Sequence, residues 1–398
     1  MRVGLLLWAV GVQVTEGVAS RGAIMALVGA ARDAQAQRAF SPGAPVEKTW
    51  RPLFMLLSWG LLWSSLLGWR LPTGFGAARL VDWLGVPVAA WAVARLGAKR
   101  LAPIAAVAAS FLLLSCVCAG LQHYGLWPPR EAFNGWEWTR FPFDRVYEPA
   151  PGAEGRYLAG GLLFHRLRFA HVTSLGALLA LAVVLRTVGF ARIFSGAVAV
   201  IGLASVAVFP GARAAFVAGV FGCAVLLVVM AGSRKIAVLS VAGVALASGL
   251  LLVVSPALRT RLMESASLQG SGDRAGLVRA GLAAVSAHPV VGVGPGRYKP
   301  GEWAPEDASH FAREHGGKTH NMFLTAAAEQ GVLGALLLLW WLAFLARGYW
   351  KAGGDARSGL AVLALLVALG MLHDPLFHAE VSLAFALALG ATRASSPR

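Results

Sequence analysis

Charge is what this chain has least of. Only 14% of its 398 residues are Asp, Glu, Lys or Arg, against roughly a quarter in soluble domains. Acidic side chains are the scarcer sign, 19 against 35 basic ones. A soluble fold of this length would need far more charge on its surface, so that class is excluded. Cysteine is nearly missing too. Cys116, Cys118 and Cys223 all fall in apolar runs, which excludes a disulfide framework. A Cys-x-Cys pair on a helix points its thiols to different sides, which argues against a metal pair. The three read as small core residues. No period of 20–50 residues repeats and no tract is of low complexity, so residues 1–398 read as a single helical domain. The N-terminus reads as the first helix of a hairpin and not as a cleavable signal. Met1-Arg2 opens an apolar run, but Glu16 and Arg21 follow without a small-residue cleavage pattern.

Apolar side chains are what the chain has in excess: 57% of residues and a mean hydropathy of +0.66. The surplus must face lipid, so the fold class is an all-α polytopic membrane protein. Apolar helices are predicted at about 3–15, 19–32, 51–69, 79–96, 101–121, 160–186, 191–209, 213–232, 236–255, 321–346, 358–373 and 378–392, giving about twelve spans. The first two and last two are short for a full crossing. The net charge of +16 does not point to nucleic acid, because no basic patch with interleaved aromatics forms a domain. Instead, Lys and Arg sit in short loops. With the N-terminus inside, each short inner loop is basic: Arg32, Arg38 and Lys48; Lys99 and Arg100; Arg186 and Arg192; Arg234 and Lys235; Arg347, Lys351 and Arg357. Two larger loops, 122–158 and 256–320, then lie outside. The first holds Trp127, Phe133, Trp136, Trp138, Phe141, Phe143 and Tyr147, either an aromatic belt at headgroup level or a platform for sugar or lipid.

The chemistry-bearing residues gather around the second loop. Arg213 follows the tight turn Phe209-Pro210-Gly211-Ala212 and opens a helix. It reads as a snorkelling arginine or as an anion clamp with a planar fork of donors. Asp273 is a plausible N-cap for an amphipathic helix over 274–287, with Leu277, Val278, Leu282 and Val285 on its apolar side. Arg274 and Arg279 are five apart and diverge on that helix. Arg274 is preferred as the inward one because it lies beside the N-terminus, where free N–H groups favour an anion. Arg279 reads more simply as a solvated charge. Gly292-Val293-Gly294-Pro295-Gly296 precedes Arg297. It lacks the strand and helix of a nucleotide loop and reads as a tight turn.

His320 begins the apolar helix of 321–346, and an imidazole accepts a proton near neutral pH. Leu324, Ala328, Gly331 and Gly334 are predicted to share its face, the glycines permitting close helix packing. Glu329, an intramembrane carboxylate, is expected to hold a partner or a proton. His165, Arg166, Arg168 and His171 form another polar cluster, for substrate contact or for interfacial anchoring. His310, His315 and His320 are five apart, without a clean metal-ligand motif.

Three of these pieces together resemble the O-antigen ligase and polymerase family: Arg213 at a helix mouth; an Arg-led helix running into His288-Pro289-x-x-Gly292-x-Gly294-x-Gly296; and His320-Asn321-x-x-Leu324-x4-Glu329-x-Gly331-x2-Gly334. The resemblance covers about 205–346 and implies a bacterial inner-membrane glycosyltransferase with its site facing the periplasm. The implied donor is a glycan on undecaprenyl diphosphate, and the acceptor is a hydroxyl of the lipid A core. Arg213 and Arg274 would hold the diphosphate and His320 would activate the hydroxyl. Arg279, Arg297, His165, His171 and His315 would contact substrate, with inversion at the anomeric carbon and no cofactor or metal required. A polymerase joining lipid-linked repeats, or transfer to a protein hydroxyl, would use the same motif. A flippase would instead need polar or broken segments in both halves of the chain.

Overall fold

The computed structural model describes residues 1–36, 47–127, 148–256, 258–260, 263, 268–315, 318–375 and 378–394. Most of the 122–158 loop, including Phe133, Trp136, Trp138, Phe141, Phe143 and Tyr147, lies outside the described residues. The described chain is predominantly helical and forms no strand. Its one extended pairing is a bridge between Pro149 and Tyr157. The helices run α1 (Arg2–Gly11), α2 (Glu16–Ala36) and α3 (Glu47–Ser58), which continues through a π turn (Trp59–Trp63) into a last turn (Ser64–Leu67). Next come α4 (Gly76–Leu96), α5 (Ala98–His123), α6 (Arg166–Val184), α7 (Gly189–Val208), α8 (Arg213–Met230) and α9 (Arg234–Val254). Last are α10 (Leu268–Ala287), α11 (Met322–Ala352), α12 (Ser358–Leu372) and α13 (Ala379–Ala394).

Among the described residues eight helices are long and apolar enough to cross a membrane, where the hydropathy pattern predicted about twelve. Those eight are α4 to α9, α11 and α12. The difference lies in the short elements. Arg2–Gly11, Gly17–Gly29 and Arg51–Leu67 are apolar but shorter, and α13 has 16 residues. The plainest sign of lipid is α9. None of its most apolar window is buried in the protein, and Leu246 and Leu250 stand open on it. An apolar helix so bare persists only where its surroundings are hydrocarbon.

The chain divides into two compact units: 1–26, 96–263 and 360–365, and then 27–95, 264–359 and 366–398. In the first, small residues let helices approach closely. Gly202 of α7 faces Ala177 of α6, and Gly219 of α8 faces Ser174, as membrane helices require where apolar burial gives no driving force. Gln122, buried at the end of α5, accepts from the Gly160 and Gly161 amides at 3.0 and 2.9 Å and donates to the Gly161 carbonyl at 2.9 Å. One amide side chain thus satisfies the irregular backbone that enters α6.

In the second unit, Trp83 of α4 meets Trp341 of α11 edge to face at 4.7 Å, and the Tyr349 hydroxyl donates to the Leu389 carbonyl of α13 at 2.5 Å. Its central feature is a break in α11. Gly331 has φ 73° and ψ 175°, a backbone region open essentially to glycine alone. A helix broken inside an apolar layer strands its carbonyls, and each must find another donor. Here the Val293 and Gly294 amides donate to the Ala328 and Glu329 carbonyls at 2.8 and 2.9 Å. The Trp59 indole N–H, in the π turn of α3, takes the Gln330 carbonyl at 2.7 Å. Past the break, the Val332 amide donates to Pro289 at 2.9 Å.

This revises one expectation and extends another. Gly331 does not serve close packing of a continuous helix; it is the break, and a Cβ there would collide with the Val290 carbonyl. Gly292 likewise lies at φ 68°, with the Glu329–Gln330 backbone where a Cβ would stand. The glycine run is a turn, as expected, and also a clamp on the broken helix. A second correction concerns α10. It starts at Leu268, so Asp273 sits inside it rather than capping it, and Arg274 is six residues past the start, away from the free N–H groups. Its buried face is Leu277, Ala280 and Ala284, whereas Val278 and Leu282 are exposed.

Gly331→Ala is therefore expected to destabilise the protein, by about 1–3 kcal/mol from the backbone alone and more from the clash. Gly243→Ala, in the middle of α9 with open space at its Cβ, is expected to be neutral or slightly stabilising, as at an ordinary helix position. Melting of the detergent-solubilised variants checks the contrast; a similar shift for both would remove the break from the account.

Candidate functional site

The second unit holds a buried charge cluster against the break. Glu329 lies two residues before Gly331. Its Oε2 accepts from Arg79 Nη2 of α4 and its Oε1 from Lys318 Nζ, both at 2.5 Å, and the three side chains are 3–9% exposed. The Gly296 amide also hydrogen-bonds the carboxylate. Lys318 donates as well to the Tyr298 carbonyl at 3.2 Å. The expectation that Glu329 would hold a partner is met twice over. A fourth ionisable group, Asp374, faces the same cleft of about 30 Å³. Asp374 is buried, Arg79, Glu329 and Lys318 all act on it, and Thr325 hydrogen-bonds it. Burial pushes its carboxyl above the usual carboxylate range, with Arg79 opposing. Arg79 and Lys318 compensate the Glu329 carboxylate without exposing charge to the apolar layer.

This cluster anchors the segment that carries His320. Lys318 is fixed to Glu329. The Thr319 hydroxyl donates to the Asn321 carbonyl at 2.8 Å, accepts from the Asn321 amide at 3.1 Å and meets the Thr325 hydroxyl at 2.8 Å. Asn321 caps α11, its Oδ1 accepting from the Phe323 and Leu324 amides at 3.0 and 3.1 Å. His320 itself stands ahead of the helix in the left-handed region, at φ 56°. It therefore does not continue the face of Leu324 and Ala328. A non-glycine residue takes that conformation only when its neighbours over-determine it, and such residues concentrate at functional sites.

The His320 imidazole packs edge to face on His373, ring centroids 5.3 Å apart. Burial lowers its pKa from the ordinary 6.5, and the Arg274 charge lowers it further. The ring is thus neutral at neutral pH and able to accept a proton. Arg274 is half-buried on the side of α10 that acts on His320, while Arg279 is exposed and pairs with Asp307 at 2.8 Å.

The remaining candidates fall elsewhere. Arg297 is exposed and donates from Nε to the Leu71 carbonyl at 2.7 Å. His310 pairs with Glu314 at 3.1 Å, and the His315 side chain is outside the described residues. Arg213, His165 and His171 belong to the first unit. Arg213 is the first residue of α8. His165 caps α6, its Nδ1 accepting from the Arg168 amide at 3.4 Å, and His171 is buried within α6.

The fold is that of a multi-pass membrane protein whose second unit pins an imidazole beside an arginine. Residues 198–339 match the family model described as O-Antigen ligase, and over this stretch the chain is O-antigen ligase-like. The stretch includes Arg213, Arg274, the glycine run, His320 and Glu329. No curated protein gives a significant match. Arg79, which pairs with Glu329, and Asp374, on which Glu329 acts, lie outside the matched stretch, and sequence reasoning passed over both. A signal existed for each: Arg79 stands at the head of an apolar run and Asp374 between two of them, where charge is costly and seldom idle.

Glu329→Gln is expected to cost about 3–5 kcal/mol, because it strands two buried cations. Lys318→Met is expected to cost less, since Arg79 keeps its partner. Unfolding of the purified variants gives the ranking; equal losses would mean that Glu329 does not serve both cations.

Proposed function

We propose that this chain transfers a glycan from undecaprenyl diphosphate to a hydroxyl of the lipid A core. The observation that supports this most is the placement of His320, a half-buried neutral imidazole in a strained backbone, fixed on both sides and acted on by Arg274, inside the stretch that matches O-antigen ligase. The acceptor hydroxyl gives its proton to His320 as its oxygen attacks the anomeric carbon. The bond from that carbon to the diphosphate oxygen breaks, and its electron pair leaves with the diphosphate. Single displacement inverts the anomeric centre. Arg274 stabilises the charge growing on the leaving group with a planar fork of donors. Arg213 keeps the role that the sequence resemblance gives it, a guanidinium for a diphosphate. The acceptor is read as the lipid A core; a polymerase joining lipid-linked repeats would use the same residues.

The reading requires the 256–320 segment to face the periplasm of a bacterial inner membrane. Cys116, Cys118 and Cys223 are buried, so background labelling is low. Glu306→Cys, at an exposed position, is expected to react with an impermeant thiol reagent in intact spheroplasts. Labelling only after membrane lysis would put the site on the wrong face.

His320→Ala is expected to abolish transfer by the purified, well-expressed protein while donor binding survives. The wild-type rate is expected to rise with pH, its half-point below 6.5, as His320 loses its proton. Arg274→Ala is expected to lose on the order of a hundredfold, as removal of a preorganised charge does, with poor rescue by lysine. Its residual activity should have an acidic limb moved to higher pH, because the charge that lowers the imidazole's pKa is gone. Wild-type turnover by His320→Ala, or an essential Arg279 beside a dispensable Arg274, would overturn these assignments.

A further inference from the structure

A second basic site lies on the other side of the Gly296–Arg297 turn. It is a cavity of about 630 Å³ whose lining includes Trp69, Arg70, Arg297, Lys299 and Glu302. That volume falls within the roughly 300–1,000 Å³ of ordinary ligand pockets. Its lining shares no residue with the cleft at Glu329 and Asp374. Neither His320 nor Arg274 is among its walls.

The charge of this cavity is unbalanced. Three cations face one carboxylate, and Glu302 pairs with Lys299 at 3.3 Å. The two guanidiniums are left over. Arg297 commits its Nε to the Leu71 carbonyl at 2.7 Å, and among the described residues its two terminal nitrogens have no protein partner. Arg70 reaches the Val293 carbonyl only at 3.4 Å. The walls are fixed by backbone, the Thr73 amide donating to the Pro295 carbonyl at 3.1 Å. Two planar forks on a preset frame suit a phosphate.

The cavity's place in the chain says what carries that phosphate. Arg70 lies three residues past the end of the apolar α3 segment, whose Leu62, Trp63, Leu66 and Leu67 are exposed as lipid-facing residues are. Trp69, at φ 52°, is 95% exposed. An open tryptophan beside an arginine at the end of an apolar helix marks headgroup depth. We propose that the cavity formed by Arg70, Arg297 and Lys299 binds the phosphate of a membrane lipid headgroup. This does not depend on the chemical step, since neither His320 nor Arg274 lines the cavity; Arg297, an expected substrate contact from the sequence, is here assigned to the headgroup instead.

The test is equilibrium binding of a fluorescent short-chain phosphatidylglycerol to the purified full chain in neutral detergent. Diacylglycerol, which lacks phosphate, and inorganic phosphate serve as competitors. The Arg70→Ala/Arg297→Ala double variant is expected to bind about tenfold or more weakly, through loss of two charge-assisted contacts. Glu302→Gln is expected to bind more tightly, a gain that misfolding cannot produce. Diacylglycerol is expected not to compete, and inorganic phosphate to compete only weakly. Unchanged binding in both variants overturns the site. Full displacement by inorganic phosphate at millimolar concentration overturns the lipid assignment in favour of a free anion. Because no glycan donor is present, either failure leaves the proposed transfer to be judged by its own experiments.

Discussion

A broken helix in an apolar layer must have its freed carbonyls met by some other donor, and the second unit is organised around that need. Gly331 interrupts α11, and the carbonyls of Ala328, Glu329 and Gln330 are taken by Val293, Gly294 and Trp59. Once those amides are committed, the glycine run has one place to lie. That place brings the Gly296 amide to Glu329 and the Tyr298 carbonyl to Lys318. The backbone requirement and the charge cluster are therefore one construction. Changing Gly331 would loosen the clamp and with it the frame around the buried ions.

The ions in turn hold the segment from Lys318 to Asn321. A buried ion pair adds little net stability relative to a well-packed apolar core. Its use here is positional. Lys318 is tied to Glu329, Thr319 to Asn321 and Thr325, and Asn321 to the first turn of α11. His320 is the one residue of the four in left-handed backbone, with its ring against His373. The base proposed here would gain from such fixing, because misplacement by an ångström lowers rate steeply.

Much of this was legible from the chain. Hydropathy gave the all-helical membrane class, and the spacing from His320 to Gly334 marked the stretch that matches O-antigen ligase. Glu329 was flagged as needing a partner because an intramembrane carboxylate is costly alone. What the sequence hid depends on long-range pairing. Arg79 meets Glu329 across 250 positions, and nothing local to either names the other. The glycines misled because a small residue at helical spacing is equally consistent with close packing and with a break. The start of α10 was placed too late because Asp273 satisfies an N-cap preference that the preceding turns of helix override.

The central claim is that this membrane protein moves a glycan off a diphosphate lipid rather than moving the lipid. The most direct test incubates purified protein in proteoliposomes with undecaprenyl-diphosphate-linked glycan and lipid A core, then measures free undecaprenyl diphosphate and the anomeric configuration of any product. The account predicts one undecaprenyl diphosphate released for each glycan joined to lipid A core, with inversion at the anomeric carbon. Intact donor carried across the bilayer with no diphosphate lipid released would contradict it and mark the protein as a transporter.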